Sequence, residues 1–281
     1  MQKEFDDRKP ETGQRTLRDI AYAVAPISLE EMNTEAALMR RVDQKYLVTA
    51  ATFRRLMSTA TELLGDDLRV LDIDGDRVMG YESVYYDSPD LVGFRAHVQG
   101  RRRRYKVRTR SYVETGVSFV EVKYKAGLDV TSKMRTAYPD APAPGLDDLS
   151  DLPDHGVAFA GQVIADAYAL DLADRMDPVL RTTNRRATFL IGPHGPMAGG
   201  RMTVDVALEF DDGDSRSRMR SDLLLIETKS AGSSLVIDDL LRRLGERPVS
   251  MSKYCVGVSL LRPGVSGNKW RRITRTYFEA A

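Results

Sequence analysis

Cysteine, histidine and net charge are all scarce in this chain, and each scarcity excludes something. A single cysteine, Cys255, among 281 residues allows no disulfide framework within the chain. It lies in the apolar run Tyr254-Cys255-Val256-Gly257-Val258 and reads as a small core residue. The three histidines, His97, His155 and His194, are scattered and lack metal-ligand spacing, so they read as structural or surface residues. No apolar run approaches the ~18 residues of a membrane span. The stretch from Ile20 to Ile27 is too short, and too far from the start, for the apolar core of a signal peptide. P-loop and protein-kinase motifs are missing as well. These absences lead us to expect a soluble, cytoplasmic protein.

The positive charge that is present is concentrated. Overall 42 Lys and Arg face 41 Asp and Glu, yet between Arg95 and Arg135 twelve bases stand against three acids. Side chains of a strand alternate between its faces. Arg104, Lys106, Arg108 and Arg110 therefore share one face, with Tyr105, Val107 and Thr109 on the other. After a turn, Glu121, Lys123 and Lys125 share a face opposite Val120, Val122 and Tyr124, and Lys133 and Arg135 continue the pattern. One such strand is ordinary: an antiparallel sheet with its apolar side on a core and its cations in water. Like charges on neighbouring strands repel, so many such strands call for an anionic ligand.

The rest of the chain repeats the pattern. Residues 1–27 show no clear period and read as a loose arm; Ser28-Leu29-Glu30-Glu31 opens a short helix towards Leu38 through a capping box. A strand from Arg41 to Val48 puts Arg41, Asp43 and Lys45 together. Thr49 caps a helix with an apolar stripe from Phe53 to Leu64, stopped by Gly65. Asp72-Ile73-Asp74-Gly75-Asp76 lacks the glycine and the bidentate glutamate of a calcium loop and reads as a turn. Residues 81–87 read as a strand, 139–153 as a surface loop and 154–170 as a helix. Strands follow at 180–191, grouping Arg181, Thr183 and Arg185, and at 201–210, grouping Arg201, Thr203, Asp205 and Glu209. Residues 211–218 read as a polar loop, and the strand 223–229 places Glu227 beside Lys229. Ser234 is expected to cap a helix over 235–244, Ser252-Lys253-Tyr254 to open a last apolar segment, and residues 263–281 to form a disordered basic tail.

If this sheet closes, its lumen is charged and helices pack its outside. Cations on Arg41, Lys45, Lys106, Arg108, Lys123, Lys133, Arg185 and Arg201 would then mix with Glu121, Asp205, Glu209 and Glu227. Such a lumen suits a polyanion held by guanidinium and ammonium groups, with a divalent metal on the carboxylates. Aromatics for base stacking do not interleave with the cations, which argues against nucleic acid as a partner.

The ordered set Arg41-x-Asp43-x-Lys45-Tyr46, Lys106-x-Arg108-x-Arg110, Phe119-x-Glu121-x-Lys123, Arg201-x-Thr203-x-Asp205, Ile226-Glu227-Thr228-Lys229 and Ser252-Lys253-Tyr254 resembles the polyphosphate polymerase domain of the vacuolar transporter chaperone (VTC) family. That family is a branch of the triphosphate tunnel metalloenzymes. Tyr85-Tyr86-Asp87-Ser88-Pro89-Asp90-Leu91 resembles a further family segment. The resemblance implies an α+β protein built on an eight-stranded antiparallel β-barrel with helices outside, spanning residues 28–262. It also implies transfer of the terminal phosphoryl group of ATP to a growing inorganic polyphosphate, assisted by Mn or Mg. By motif, Lys45, Arg108, Arg110, Lys123, Lys133, Arg185, Arg201 and Lys253 would grip phosphates at the catalytic centre and Glu227 would hold the metal. Arg41, Arg104, Lys106, Lys125, Arg135, Lys229 and Ser252 would add substrate contacts.

There are departures from the family pattern. Thr183 stands where relatives often carry tyrosine, Ser250 where the eukaryotic branch has lysine, and Arg41 where the wider superfamily has a glutamate. The loss of one acid argues against the two-metal hydrolases. Phosphate-sensing and membrane-spanning regions of eukaryotic relatives are missing from this sequence, so export by this chain alone is not expected. A membrane protein partner enters as an expectation, since a polymer made in a lumen needs somewhere to be delivered. Two other readings use the same residues: a tunnel triphosphatase or nucleotidyl cyclase, and a non-catalytic polyphosphate or nucleotide sensor.

Overall fold

Alternating polar and apolar residues build the strands. In the computed structural model of the chain, eight strands among the described residues have seven or more residues, and four shorter ones join them. The structure describes residues 12–35, 42–127, 131–144, 149–173, 175–197, 199–230, 234–262, 264–265 and 267–281. Arg41, proposed above as a substrate contact, lies outside them, as do Leu38 and residues 1–11.

The first half of the chain forms α1 (Thr12–Ala23), β1 (Ala25–Ile27), α2 (Leu29–Glu35), β2 (Val42–Thr49), α3 (Ala50–Leu64), β3 (Leu68–Leu71), β4 (Met79–Asp87), α4 (Val92–Val98), β5 (Tyr105–Tyr112), β6 (Ser118–Lys125) and β7 (Thr131–Ala137). The second half forms α5 (Asp154–Tyr168), β8 (Asp177–Ile191), β9 (Gly200–Asp211), β10 (Arg216–Met219), β11 (Leu223–Ser230), α6 (Val236–Arg243), α7 (Lys253–Leu261), α8 (Arg271–Tyr277) and β12 (Phe278–Ala280). The architecture is α+β; β2–β11, β9–β11, β9–β10, β10–β12, β3–β8, β4–β5, β5–β6 and β6–β7 pair antiparallel, and β1 pairs with β3 in parallel. Among the described residues β7 pairs only with β6, so no ladder closes the sheet at that edge.

Contacts divide the chain into two compact units. The first comprises Met1–Val78, Arg185–Ala207 and Arg220–Val249. In it β11 lies between β2 and β9, with Glu227 opposite Lys45 on one side and Thr203 on the other. Tyr46, Val48, Met202, Val204, Leu224 and Ile226 turn to the core and meet Phe53 and Leu56 of α3 and Ile237 and Leu241 of α6, all essentially buried. Each such side chain contributes about 1.5–3 kcal/mol of burial.

Local chemistry sets the helix ends. The Thr49 hydroxyl accepts from the Thr52 N–H at 3.1 Å, and Gly65 takes a φ of +51° at the end of α3. Ser28 and Glu31 form the expected reciprocal box. At α6 the cap differs from expectation. The Asp238 carboxylate reaches back to the Leu235 N–H at 2.9 Å, because that acid also accepts from Thr228 and Tyr46 inside the core.

The loose-arm reading of 1–27 does not hold for its described part. Leu17 and Ala21 of α1 are buried one turn apart, and Gly13 lies so close to the carbonyls of Ser221 and Leu223 that a Cβ would sit 2.9–3.0 Å from them.

The second unit comprises Met79–Asn184, Leu208–Met219 and Ser250–Ala281. Here β4, β5, β6 and β7 run antiparallel in order. Val84, Tyr86, Val107, Val120 and Val122 face Ala160, Val163, Ile164 and Tyr168 of α5. The opposite face carries the cations. The polar loop expected at 211–218 contains β10, and the expected disordered tail is ordered over its described residues. In that tail Trp270, Ile273 and Phe278 are buried, and β12 pairs with β10. Those three anchors outweigh the glycine and arginine around them.

Candidate functional site

Strands β5, β6 and β7 display one cationic surface, and its centre is an acid. Register sets Arg108 opposite Glu121, and Lys106, Lys123 and Lys133 in one row. Glu121 is 1% exposed and gives each oxygen to a different cation: Oε2 accepts from Arg108 Nε at 2.8 Å and Nη2 at 2.5 Å, Oε1 from Lys133 Nζ at 2.9 Å. Burial pushes the Glu121 carboxyl up, but Arg108, Arg110 and Lys133 outweigh it and hold the group well below the usual carboxylate range. Burial likewise lowers Lys133, with Glu121 opposing. Arg108 also donates to the Tyr85 hydroxyl at 3.0 Å, and Arg110 to Ser83 at 3.3 Å. Lys123 is exposed.

The same unit supplies the end of this surface. Lys106 donates to the Ser252 hydroxyl at 2.8 Å, and that hydroxyl caps α7 by accepting from the Cys255 N–H. Lys253, the first residue of α7, donates to Asn184 Oδ1 at 2.5 Å. Asp87 organises the neighbourhood. It accepts from the N–H groups of Ser88, Gly93 and Phe94 and from the Tyr254 hydroxyl, and Tyr254 stacks on Tyr85 at 5.3 Å. A Cβ on Gly93 would sit 3.0 Å from the Asp87 carboxylate, which would have to give way by a few tenths of an ångström.

The first unit carries a second charged face. Glu227 Oε1 lies 3.3 Å from Lys45 Nζ and 3.6 Å from Lys229 Nζ. Asp205 is held by both ends of Arg186, at 2.5 and 2.8 Å.

The family model for the VTC domain matches residues 40–262. This chain belongs to the VTC domain family. Comparison with the curated proteins found no match. Among solved structures, a Pyrococcus horikoshii protein is 13% identical, covering 79% of this chain and 100% of its own, with a TM-score of 0.40. A putative adenylate cyclase from Vibrio parahaemolyticus is 13% identical over 75% and 94% of the two chains, with a TM-score of 0.39. A putative adenylyl cyclase from Hippeastrum, described as having a dominant triphosphatase activity, is 11% identical over 80% and 98%, with a TM-score of 0.44.

Set against the family motifs, the structure brings together Arg108, Arg110, Glu121, Lys123 and Lys133 in one unit, and Lys45, Glu227 and Lys229 in the other. Arg104 and Lys125 continue the β5–β6 face, and Arg135 turns its guanidinium onto the Phe119 ring at 4.5 Å. Three of the expected residues make contacts of their own. Arg185 shares strand parity with the buried Ala187, Phe189 and Ile191, and its guanidinium donates to the Val78 carbonyl at 2.8 Å. Arg186 takes the polar face instead, which counting back by twos from Phe189 would have shown. Arg201 donates to the Met32 carbonyl at 3.1 Å, fastening α2. Glu209 is exposed and stands opposite Arg218 in the β9–β10 ladder, past Ala207 with its φ of +49°.

Among the four carboxylates considered for a metal, Glu121 and Asp205 have both oxygens occupied by cations, and Glu209 is exposed opposite Arg218. Among the described residues no group of three or more His, Cys, Asp or Glu is clustered to hold an ion. Glu227, whose Oε1 is shared by Lys45 and Lys229, would offer a hard cation a single carboxylate. No described helix is long and apolar enough to cross a membrane.

Proposed function

We propose that this chain is a polyphosphate polymerase, transferring the terminal phosphoryl group of ATP to a growing inorganic polyphosphate. The observation that carries the reading is the row of Arg108, Arg110, Lys123 and Lys133 around the buried Glu121, in a member of the VTC domain family. Phosphoryl transfer needs positioning and charge neutralisation more than a covalent nucleophile. Guanidinium groups already fixed by Glu121 and Tyr85 can bind phosphate oxygens without reorganising.

In this reading Arg108, Arg110, Lys123, Lys133 and Lys253 of the second unit hold phosphates; in the first unit Lys45 would hold phosphate and Glu227 Mn or Mg. When bound, that ion would neutralise charge on the transferring group. Lys45 and Lys229 flank Glu227 and orient it. The same reading places the reaction in the cytoplasm, where ATP is supplied, with a membrane protein partner to take the polymer.

Incubation of the protein with ATP and Mn²⁺ or Mg²⁺, with products resolved on a gel, tests it. A ladder of polymer with ADP is the expected result. Free phosphate or pyrophosphate without polymer would move the assignment to a triphosphatase or cyclase, and intact ATP with measurable binding to a sensor.

A further inference from the structure

The cationic surface of the second unit does not stop at the strands. It runs into a cavity of about 240 Å³ whose lining, among the described residues, includes Arg104, Lys106, Lys123, Lys125 and Lys269 and no acidic residue. Four of these cations come from β5, β6 and the segment leading into β5. The fifth, Lys269, comes from the segment before α8, beyond residues 40–262 that the VTC family model covers.

Lys269 is held in place by its neighbours. Trp270 is 3% exposed and also lines the cavity, the Lys269 ammonium stands 5.6 Å from the Trp270 ring centre, and the β12–β10 pairing anchors the segment's far end. Ser250, Met251, Ser252 and Cys255 bring the first turn of α7 to the wall, so the positive end of a nine-residue helix adds to the same field. His97 lines the cavity too, and burial together with Lys106, Arg104 and Lys269 pushes its pKa down to about 2, leaving the imidazole neutral.

We propose that this cavity is a second anion subsite that holds the distal phosphates of a polyphosphate chain, with Lys269 supplied by the C-terminal segment as the residue that sets chain-length preference. This rests on the polyphosphate reading above. Five cations converging on one cavity whose described lining holds no acid suit an extended anion of several charges. The cavity is below the ~300 Å³ at which organic ligand pockets begin, which favours a run of phosphoryl groups over a nucleoside. Lys123 belongs both to the strand row and to the cavity, so one flexible chain can engage the two together. An anion reaching both gains affinity by effective concentration, and one too short to span them does not.

The test is calorimetric binding of sodium tripolyphosphate and of long-chain polyphosphate, without ATP, to the full chain and to Lys269→Gln and Lys269→Arg. Wild type is expected to prefer the long chain. Lys269→Gln should reduce that preference by about three- to fivefold, the scale of one solvent-accessible ion pair, and Lys269→Arg should restore most of it. A thermal melt of each variant separates loss of the subsite from loss of the fold. An unchanged preference in Lys269→Gln, or equal affinity of wild type for both anions, would overturn the subsite. Failure of the polymerase reading looks different: wild type then forms no polymer from ATP while the charge-dependent preference for long chains persists.

Discussion

Arg108 and Glu121 stand opposite each other across the β5–β6 ladder, and the guanidinium closes on one carboxylate oxygen through both Nε and Nη2. The acid is buried and the base partly open, so the carboxylate acts as a fixed counter-ion that aims the guanidinium. Lys133 is fixed the same way from the other side. Arg110 donates to the Ser83 hydroxyl and Lys106 to the Ser252 hydroxyl, while Lys123 is exposed, and that difference separates their expected variants.

Arg108→Ala should therefore fail in two ways and Lys123→Ala in one. Removing Arg108 leaves Glu121 short of a buried partner and should cost about 3 kcal/mol of stability along with ATP affinity. Exposed Lys123 should lower ATP affinity roughly tenfold with melting nearly unchanged. Equal melting losses in the two variants would contradict the anchoring role of Glu121.

Acid stability should carry the mark of two buried groups. Glu121 is depressed on folding, so its stabilisation is complete above the ordinary carboxylate value of 4.5 and fades as the pH falls below it. His97 is also depressed, to about 2 from 6.5, so below pH 6.5 the unfolded chain takes up a proton that the folded one refuses. Both terms make stability fall with acid, His97 first. Replacing His97 by Gln should flatten the denaturation midpoint between about pH 6.5 and 4.5, and Glu121→Gln should flatten it below that range. A slope identical to wild type in either variant removes that residue from the account.

Glu227→Gln keeps the shape between Lys45 and Lys229 while removing a ligand suited to a hard cation. Tripolyphosphate should bind at least as well without metal, because one repelling charge is gone, and turnover of ATP should collapse with little rescue by excess Mn²⁺. Calorimetry paired with a polymer assay decides it. Near wild-type polymer formation would take Glu227 out of the mechanism.

The two neighbouring arginines of β8 should separate cleanly in thermal melts. Arg186→Ala takes a two-pronged cationic partner from the buried Asp205 and should cost about 3 kcal/mol. Arg185→Ala gives up a hydrogen bond to the Val78 carbonyl and should cost about 1 kcal/mol. The opposite ranking would mean that the strand's faces are inverted.

The packed face has its own check. Val107→Asp or Val122→Asp puts a charge at a fully buried position against the α5 core and should cost about 4 kcal/mol or prevent folding. Lys106→Leu gives up one bond to Ser252 and relieves repulsion from Lys123 opposite, so its melt should stay close to wild type. Soluble, cooperatively melting Val107→Asp protein would refute the core assignment.

Alternation alone determined much of this protein. Lys106, Arg108 and Arg110 share a face because a strand has a period of two, and Val107, Val120 and Val122 are buried because the same period leaves them no other side. Thr49, Gly65 and the Ser28–Glu31 box are local devices, settled within four residues of chain, and they were legible for that reason. What the sequence could not decide depends on partners far away in it. Whether a carboxylate serves a metal or a guanidinium is a matter of who faces it. Only the ladders put Arg108 and Lys133 on Glu121 and Arg186 on Asp205, while leaving Glu227 between two lysines. The ends of the chain were misread for a related reason. A short helix such as α1 or α8 is marginal by itself and is held by a few anchors, Leu17 in one and Trp270 and Ile273 around the other, whose burial exists only once the rest of their unit has folded.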